Sequence, residues 1–276
     1  MEQPVFAEVT QSGREHKRRA AQAFDGTAAT YGTGGDFHDR FAQRLVELAD
    51  MGPGQHVLDV ATGTAPAAIA SAKRVGTTGW VIGVDLSAGI LRHAQTHTAS
   101  LANVWLCQSD AEELPFADGL FDVVLCSSSV VWFPDIPAAF REWKRVLKSD
   151  GMAMFSCFAQ TANPTSHLLR KHLADYGIAL PNLNAPLDTP EKCRALMQQA
   201  GFAECDIITE QWGGYIRNDA NCIFENAWNG NRSRFGFNLD ADPFELLKTA
   251  MGREIDASMT AQGFWNDTTA FFVRAM

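Results

Sequence analysis

Asp59 and Asp85 are the residues of this chain whose placement most directly suggests chemistry. Asp59 lies in the apolar run Val57-Leu58-Asp59-Val60, which passes into the small-residue turn Ala61-Thr62-Gly63-Thr64-Ala65. Asp85 closes a second apolar run, Val81-Ile82-Gly83-Val84, 26 residues after Asp59. Such a layout suits an adenosine-containing cofactor lying across the carboxyl ends of two parallel strands. Small residues let the backbone approach the ligand, and the second acid accepts hydrogen bonds from ribose hydroxyls. The competing reading of an isolated Asp is a helix cap or a solvated strand end. A dinucleotide is the rival ligand, but it needs Gly-x-Gly-x-x-Gly. Gly63-Thr64-Ala65-Pro66-Ala67-Ala68 lacks the glycine for close pyrophosphate approach. A third element, Ser109-Asp110-Ala111-Glu112-Glu113-Leu114-Pro115-Phe116, has no role in hydride transfer and turns the choice away from a dinucleotide.

The elements that must position these acids alternate. Strands are expected over 56–61, 79–84, 103–108, 121–126 and 151–158, with helices over about 65–75, 87–99 and 135–148 between them. Continuous apolar strands interleaved with helices mean a parallel sheet covered on both faces. Residues 1–50 read as helical, with Phe41, Leu45 and Leu48 on one face. Asp150-Gly151 reads as a tight turn, and 159–190 as irregular chain. A helix from Pro190 to about Ala200, a strand near 203–210, two helix-like stretches in 211–262 and a last strand from Thr268 to Ala275 complete the chain. The expected organisation is therefore an N-terminal helical segment (1–50), a cofactor-binding core (51–160), and a remainder (161–276) carrying an insertion at about 211–262.

Composition narrows the class. The chain has 276 residues, 46% of them hydrophobic, and a formal net charge of −9. That acidity argues against a nucleic-acid substrate, whose partner surface is basic. With no run of 18 apolar residues and no signal-like N-terminus, no membrane span is expected and a cytoplasmic location is. Six cysteines without a Cys-x-x-Cys pair or a Cys/His cluster read as reduced thiols, and no metal site is expected.

Taken together, Val57 to Ala65, Gly83-Val84-Asp85-Leu86-Ser87, Asp110 to Phe116, and Arg145-Val146-Leu147-Lys148-Ser149-Asp150-Gly151 resemble the ordered motifs of class I S-adenosylmethionine-dependent methyltransferases. They most resemble the ubiquinone/menaquinone-biosynthesis group and its natural-product relatives, over roughly residues 25–160. The resemblance implies a Rossmann-like, doubly wound, mostly parallel seven-stranded sheet, its last strand antiparallel beside the fifth, with helices on both faces and a helical cap. It implies S-adenosylmethionine as cofactor and S-adenosylhomocysteine as product. In that frame loop 61–65, with Ala61 and Gly63, would pass under the methionine portion. Ala61 and Ala65 stand where the family usually has glycine. Asp59 would face the cationic groups, Asp85 the ribose hydroxyls, and Leu86 the adenine face. Asp110 would accept from the exocyclic amine and Ala111 would donate its N–H to the ring. Ser127 and Tyr31 are further cofactor candidates, Tyr31 as a lid residue.

Methyl transfer is an in-line displacement at a sulfonium carbon, so the protein mainly aligns the reactants and keeps water away. Substrate contacts are expected beyond the carboxyl ends of the strands. His38, Trp132, Phe133, Trp212, Tyr215, Phe224 and Trp228 are the pocket candidates, and plain core packing is the competing fate of each aromatic. His167 is the candidate general base. The basic stretch Arg14 to Arg19 reads as a solvated amphipathic helix, or else as a contact for an acidic substrate, a phosphate or a partner. The expected function is methyl transfer to a small organic molecule, at a carbon, oxygen or nitrogen acceptor, in secondary metabolism. Two alternatives stand beside it: a cyclisation or rearrangement that uses the bound cofactor without transferring methyl, and a non-catalytic binding module. A homo-oligomer is left open.

Overall fold

The computed structural model describes residues 13–27 and 37–276. Its helices are α1 (Gly13–Thr27), α2 (Phe37–Leu48), α3 (Pro66–Val75), α4 (Ala88–Thr98), α5 (Ile136–Val146), α6 (Pro164–Ala174), α7 (Pro190–Gln199), α8 (Ala220–Phe235) and α9 (Ala241–Ser258). The strands are β1 (His56–Val60), β2 (Trp80–Asp85), β3 (Val104–Gln108), β4 (Phe121–Cys126), β5 (Leu147–Phe158), β6 (Cys205–Gln211), β7 (Gly214–Ile216), β8 (Phe264–Asn266) and β9 (Thr269–Ala275). Seven of these form one sheet in the order β3-β2-β1-β4-β5-β9-β6. The pairs β1–β2, β1–β4, β2–β3 and β4–β5 are parallel. The chain order reverses between β1 and β4, and in open α/β sheets such a reversal leaves a crevice for ligand at the carboxyl ends of the strands. The α/β class and the seven-stranded sheet are thus as expected, with β9 inserted beside β5.

Among the described residues the chain forms two compact units. One holds the sheet and comprises 13–27, 37–157, Pro186–Thr209 and Phe271–Met276; the other comprises Phe158–Ala185 and Glu210–Ala270. The N-terminal helices therefore belong with the sheet unit rather than to a segment of their own. In that unit Phe41 of α2 packs on Phe272 of β9 at 4.9 Å between rings, and β1 and β4 are buried along nearly their whole length.

The helical unit has its own core, drawn from α6 (Leu169, Leu173), α8 (Phe224, Trp228) and α9 (Leu247, Met251). A two-stranded antiparallel ribbon, β7 with β8, pairs Tyr215 with Trp265. Two local expectations are corrected. The stretch read as irregular contains α6: Asn163 sits in the left-handed region (φ 60°), and Pro164 opens the helix, where its fixed φ and missing N–H cost nothing. Asp150-Gly151 is not a turn before the fifth strand. β5 already starts at Leu147, and its register against β4 jumps from Phe121↔Leu147 to Val123↔Met152, so 148–151 are absorbed as an irregularity within the strand.

Candidate cofactor site

The sheet unit carries a cleft at the carboxyl ends of β1, β2 and β3, with an empty volume of about 790 Å³ including its solvent mouth. It is lined by the predicted Ala61, Gly63, Asp85, Leu86, Asp110, Ala111, Trp132 and Phe133. Four residues of α1 also line it, Lys17, Ala20, Ala21 and Phe24.

Loop 61–65 is built by backbone conformation. Ala61 (φ 54°), Gly63 (φ 57°) and Ala65 (φ 71°) all lie in the left-handed region. For an alanine this costs roughly 1–2 kcal/mol, which explains why glycine is the usual occupant at such turns. Tertiary contacts hold the loop in place. Gly63 N–H donates to Asp85 Oδ2 at 3.0 Å, and Thr62 Oγ donates to Asp59 Oδ2 at 2.6 Å. Gly83 makes room for Thr62: a Cβ there would stand 2.8 Å from the Thr62 hydroxyl and 2.9 Å from Leu106.

Asp85 receives a second backbone bond, from Ser87 N–H to Oδ1 at 2.9 Å. Both oxygens are oriented, and each keeps a lone pair for a hydroxyl. Burial pushes its carboxyl above the ordinary range, against the pull of the Ser87, Gly63 and Leu86 N–H groups. Asp59 is 1% exposed and lies beneath the loop rather than on the cleft wall. Burial pushes its carboxyl up to about 7, opposed by bonds from Thr62 and Ala68 N–H and reinforced by Asp85. A cation arriving at this end of the cleft favours ionisation of both acids.

The third motif is fastened from behind by the fourth. Arg145 donates to the carbonyls of Phe116 (2.7 Å) and Leu114 (2.9 Å) and pairs with Glu142 and Asp118. Glu142 in turn accepts from Leu114 N–H at 2.9 Å. Asp110 Oδ1 accepts from Glu112 N–H at 2.9 Å, so the acid at the head of this loop is held in direction.

Other candidates sit elsewhere. Ser127 is absent from the cleft lining; its neighbour Ser129 takes the place and donates its hydroxyl to the Ser127 carbonyl. His38 is an exposed residue of α2, its ring edge-on to Phe37 at 5.5 Å. Tyr31 lies outside the described residues. The remaining candidates belong to the helical unit. Phe224 and Trp228 are buried in its core at 0% and 4% exposure, so packing is their fate there. Trp212 donates its indole N–H to Glu210 at 3.2 Å, and Tyr215 is exposed against Trp265. His167 has both ring nitrogens engaged, Nε2 with the Ala162 carbonyl at 3.0 Å and Nδ1 with Arg170 at 3.4 Å, which leaves no free nitrogen for a base.

The contribution of α1 is what sequence reasoning missed. Within the run Arg14 to Arg19, Arg18 and Arg19 pair with Glu15 on the same helix, while Lys17 reaches Asp110 and Glu112. The signal was the i, i+3, i+4, i+7 spacing of Lys17, Ala20, Ala21 and Phe24, which puts all four on one face of α1.

The strand order and the cleft at the carboxyl ends of β1, β2 and β3 are those of a Rossmann-like, doubly wound α/β fold. Comparison with known proteins agrees: residues 57–151 match the family model described as a methyltransferase domain. The chain is 38% identical over 128 residues to a demethylmenaquinone methyltransferase of Staphylococcus carnosus, covering 46% of this chain and 52% of that protein. A demethylmenaquinone methyltransferase of Staphylococcus aureus is 37% identical over 139 residues, covering 50% and 56%. The match thus spans about half the length of these relatives. Among solved structures, the YcgJ protein of Bacillus subtilis superposes with a TM-score of 0.59 at 19% identity, covering 86% of this chain and 97% of that one. An S-adenosylmethionine-dependent methyltransferase of Aquifex aeolicus gives a TM-score of 0.54 at 15% identity, covering 67% and 91%. At these identities the structures speak for the fold. No described helix is long and apolar enough to cross a membrane.

Proposed function

We propose that this chain transfers a methyl group from S-adenosylmethionine to a small, ring-bearing organic acceptor. The observation that carries the reading is the convergence of Gly63, Asp85, Leu86, Asp110 and Ala111 on one cleft, with both Asp85 oxygens oriented by backbone N–H groups. Asp85 takes the ribose hydroxyls, Asp110 the exocyclic amine and Ala111 N–H the ring. Loop 61–65 would hold the cationic methionine end, with the buried Asp59 beneath it supplying the opposing charge. The group supplies an already activated methyl. The protein's part is to hold the adenosine, exclude water, and place the acceptor in line with the methyl.

Phe24, Trp132 and Phe133 give the cleft an aromatic wall, and Phe24 meets Trp132 edge-on at 5.5 Å. That wall suits a flat apolar ring, in keeping with the quinone named for the Staphylococcus relatives. The acceptor is therefore proposed as an aromatic or quinol-type ring. The six cysteines are free thiols, which supports a reducing, cytoplasmic setting. Incubation of the chain with methyl-labelled S-adenosylmethionine and a panel of naphthols, quinols and amines tests the proposal. Label in a ring-bearing product is expected. Tight cofactor binding with no transfer to any member of the panel would favour a reaction that uses the bound cofactor without losing its methyl.

A further inference from the structure

α1 is fastened across the cofactor cleft at two points of different character. Near its C-terminal end, Asp25 Oδ1 accepts from Ser87 Oγ at 2.6 Å and from Gly89 N–H at 2.7 Å. The seat is built for this contact: a Cβ on Gly89 would stand 2.7 Å from Asp25 Oδ1 and 3.0 Å from Asp25 Cα. The bonds from Ser87 and Gly89 hold the Asp25 carboxyl below its ordinary range. Eight residues earlier, about 12 Å along the helix, Lys17 Nζ pairs with Asp110 Oδ2 at 2.7 Å and with Glu112. Between the two points Ala20, Ala21 and Phe24 line the cleft. The small pair leaves space for a planar base beneath the helix.

Lys17 therefore ends on the same carboxylate that faces the adenine amine in the proposed function. Asp110 has one oxygen occupied by Glu112 N–H and the other by Lys17, each with one lone pair left. The three side chains are only 20%, 27% and 11% exposed, so the pair is poorly screened. Burial works against the ammonium charge, but the bonds to Asp110 and Glu112 outweigh it and raise the Lys17 pKa. The two fastenings differ in how they come apart. Asp25 is a short side chain held by the Ser87 hydroxyl and the Gly89 N–H against a close backbone approach; Lys17 is a long chain that regains rotamer freedom when released.

We propose that Lys17 is a positioning residue of the cofactor site: pinned to Asp110 and Glu112, it latches α1 across the adenosine end, and the ligand leaves when that ion pair opens. The inference rests on the reading of the cleft as the S-adenosylmethionine site. Ala20, Ala21 and Phe24 become walls of the bound adenosine, and the Asp25 end acts as the fixed side of the closure.

The test is stopped-flow measurement of S-adenosylhomocysteine association and dissociation on the full chain, unaltered and as Lys17→Met, Lys17→Arg and Glu112→Gln. Lys17→Met is expected to speed dissociation about tenfold, with association changed less than about twofold. Lys17→Arg restores the slow rate, and Glu112→Gln, which spares the adenine acceptor, speeds dissociation in the same direction. Dissociation rates unchanged in both Lys17→Met and Glu112→Gln, or no restoration by arginine, overturn the latch. An unaltered chain that binds no S-adenosylhomocysteine overturns the cofactor reading instead, a distinct result.

Discussion

The backbone N–H of Gly63 and the carboxylate of Asp85, 22 residues apart, are joined by a 3.0 Å hydrogen bond. This bond links the loop after β1 to the acid at the end of β2, so the backbone turn and the carboxylate of the cleft form one rigid piece. Its counterpart inside the protein is the bond from Thr62 Oγ to Asp59. Loop conformation, acid orientation and cofactor affinity are therefore expected to move together.

Left-handed alanines store strain in that piece. Ala61→Gly and Ala65→Gly are each expected to stabilise the chain by about 0.5–1 kcal/mol. Relief of the left-handed penalty exceeds the added entropy of an unfolded glycine. Urea unfolding reads the gain as a raised midpoint at unchanged slope. A lowered midpoint would mean that contacts of the two methyl groups outweigh the strain.

Asp59 makes stability depend on pH in an unusual direction. Its folded-state pKa of about 7 lies above the ordinary 3.8, so between roughly pH 4 and 7 the folded state binds more protons than the unfolded one. The stability it confers is full at low pH and is lost as pH rises through about 7. Asp59→Asn removes that dependence and gains on the unaltered chain, by on the order of a few kcal/mol, between pH 5 and pH 8. Urea unfolding at the two pH values measures it; parallel profiles for the two chains would contradict the burial argument.

The aromatic residues of the helical unit divide by burial. Trp228→Ala is expected to cost about 3–5 kcal/mol, since the indole packs at 5.1 Å from Phe237 and 4.8 Å from Phe244. Tyr215→Ala, at an exposed ribbon position, is expected to change stability by less than about 1 kcal/mol. Thermal unfolding of the two variants decides. A stable Trp228→Ala chain would return that residue to the list of pocket candidates.

Gly89→Ala tests how closely α1 is seated. The added methyl meets Asp25, including its Cα, and is expected to release α1 while leaving the sheet intact. Limited proteolysis within 13–27 is expected to quicken several-fold, with the main unfolding transition near its original temperature. Unchanged proteolysis would mean that Asp25 is not the anchor.

Much of the sheet was legible because its signals are local. β1, β2 and β4 are short, mostly apolar runs, and Pro66 and Pro190 open helices where a proline fits. The acids Asp85 and Asp110 were legible because their spacing from the strands is set by the fold itself. What the sequence did not disclose depends on contacts remote in the chain. Lys17 lies 93 positions from Asp110, and nothing in a basic helix face tells which acid it will meet. Phe224 and Trp228 resemble pocket residues in composition, and only the packing of α6, α8 and α9 shows them as core. Asn163-Pro164 carries both a breaker signal and a helix-start signal, and the second prevailed. The His167 ring is committed by partners at Ala162 and Arg170, which a list of histidines does not reveal.

Calorimetric titration tests most directly whether Asp85 and the loop it braces hold an adenosyl cofactor. The unaltered chain is expected to bind S-adenosylmethionine and S-adenosylhomocysteine at micromolar concentration and to ignore NAD. Asp85→Ala should weaken both adenosyl ligands by roughly 10- to 100-fold, the loss of a charge-assisted contact. Equal affinity in the Asp85→Ala chain, or binding of NAD in place of the adenosyl ligands, would contradict the account.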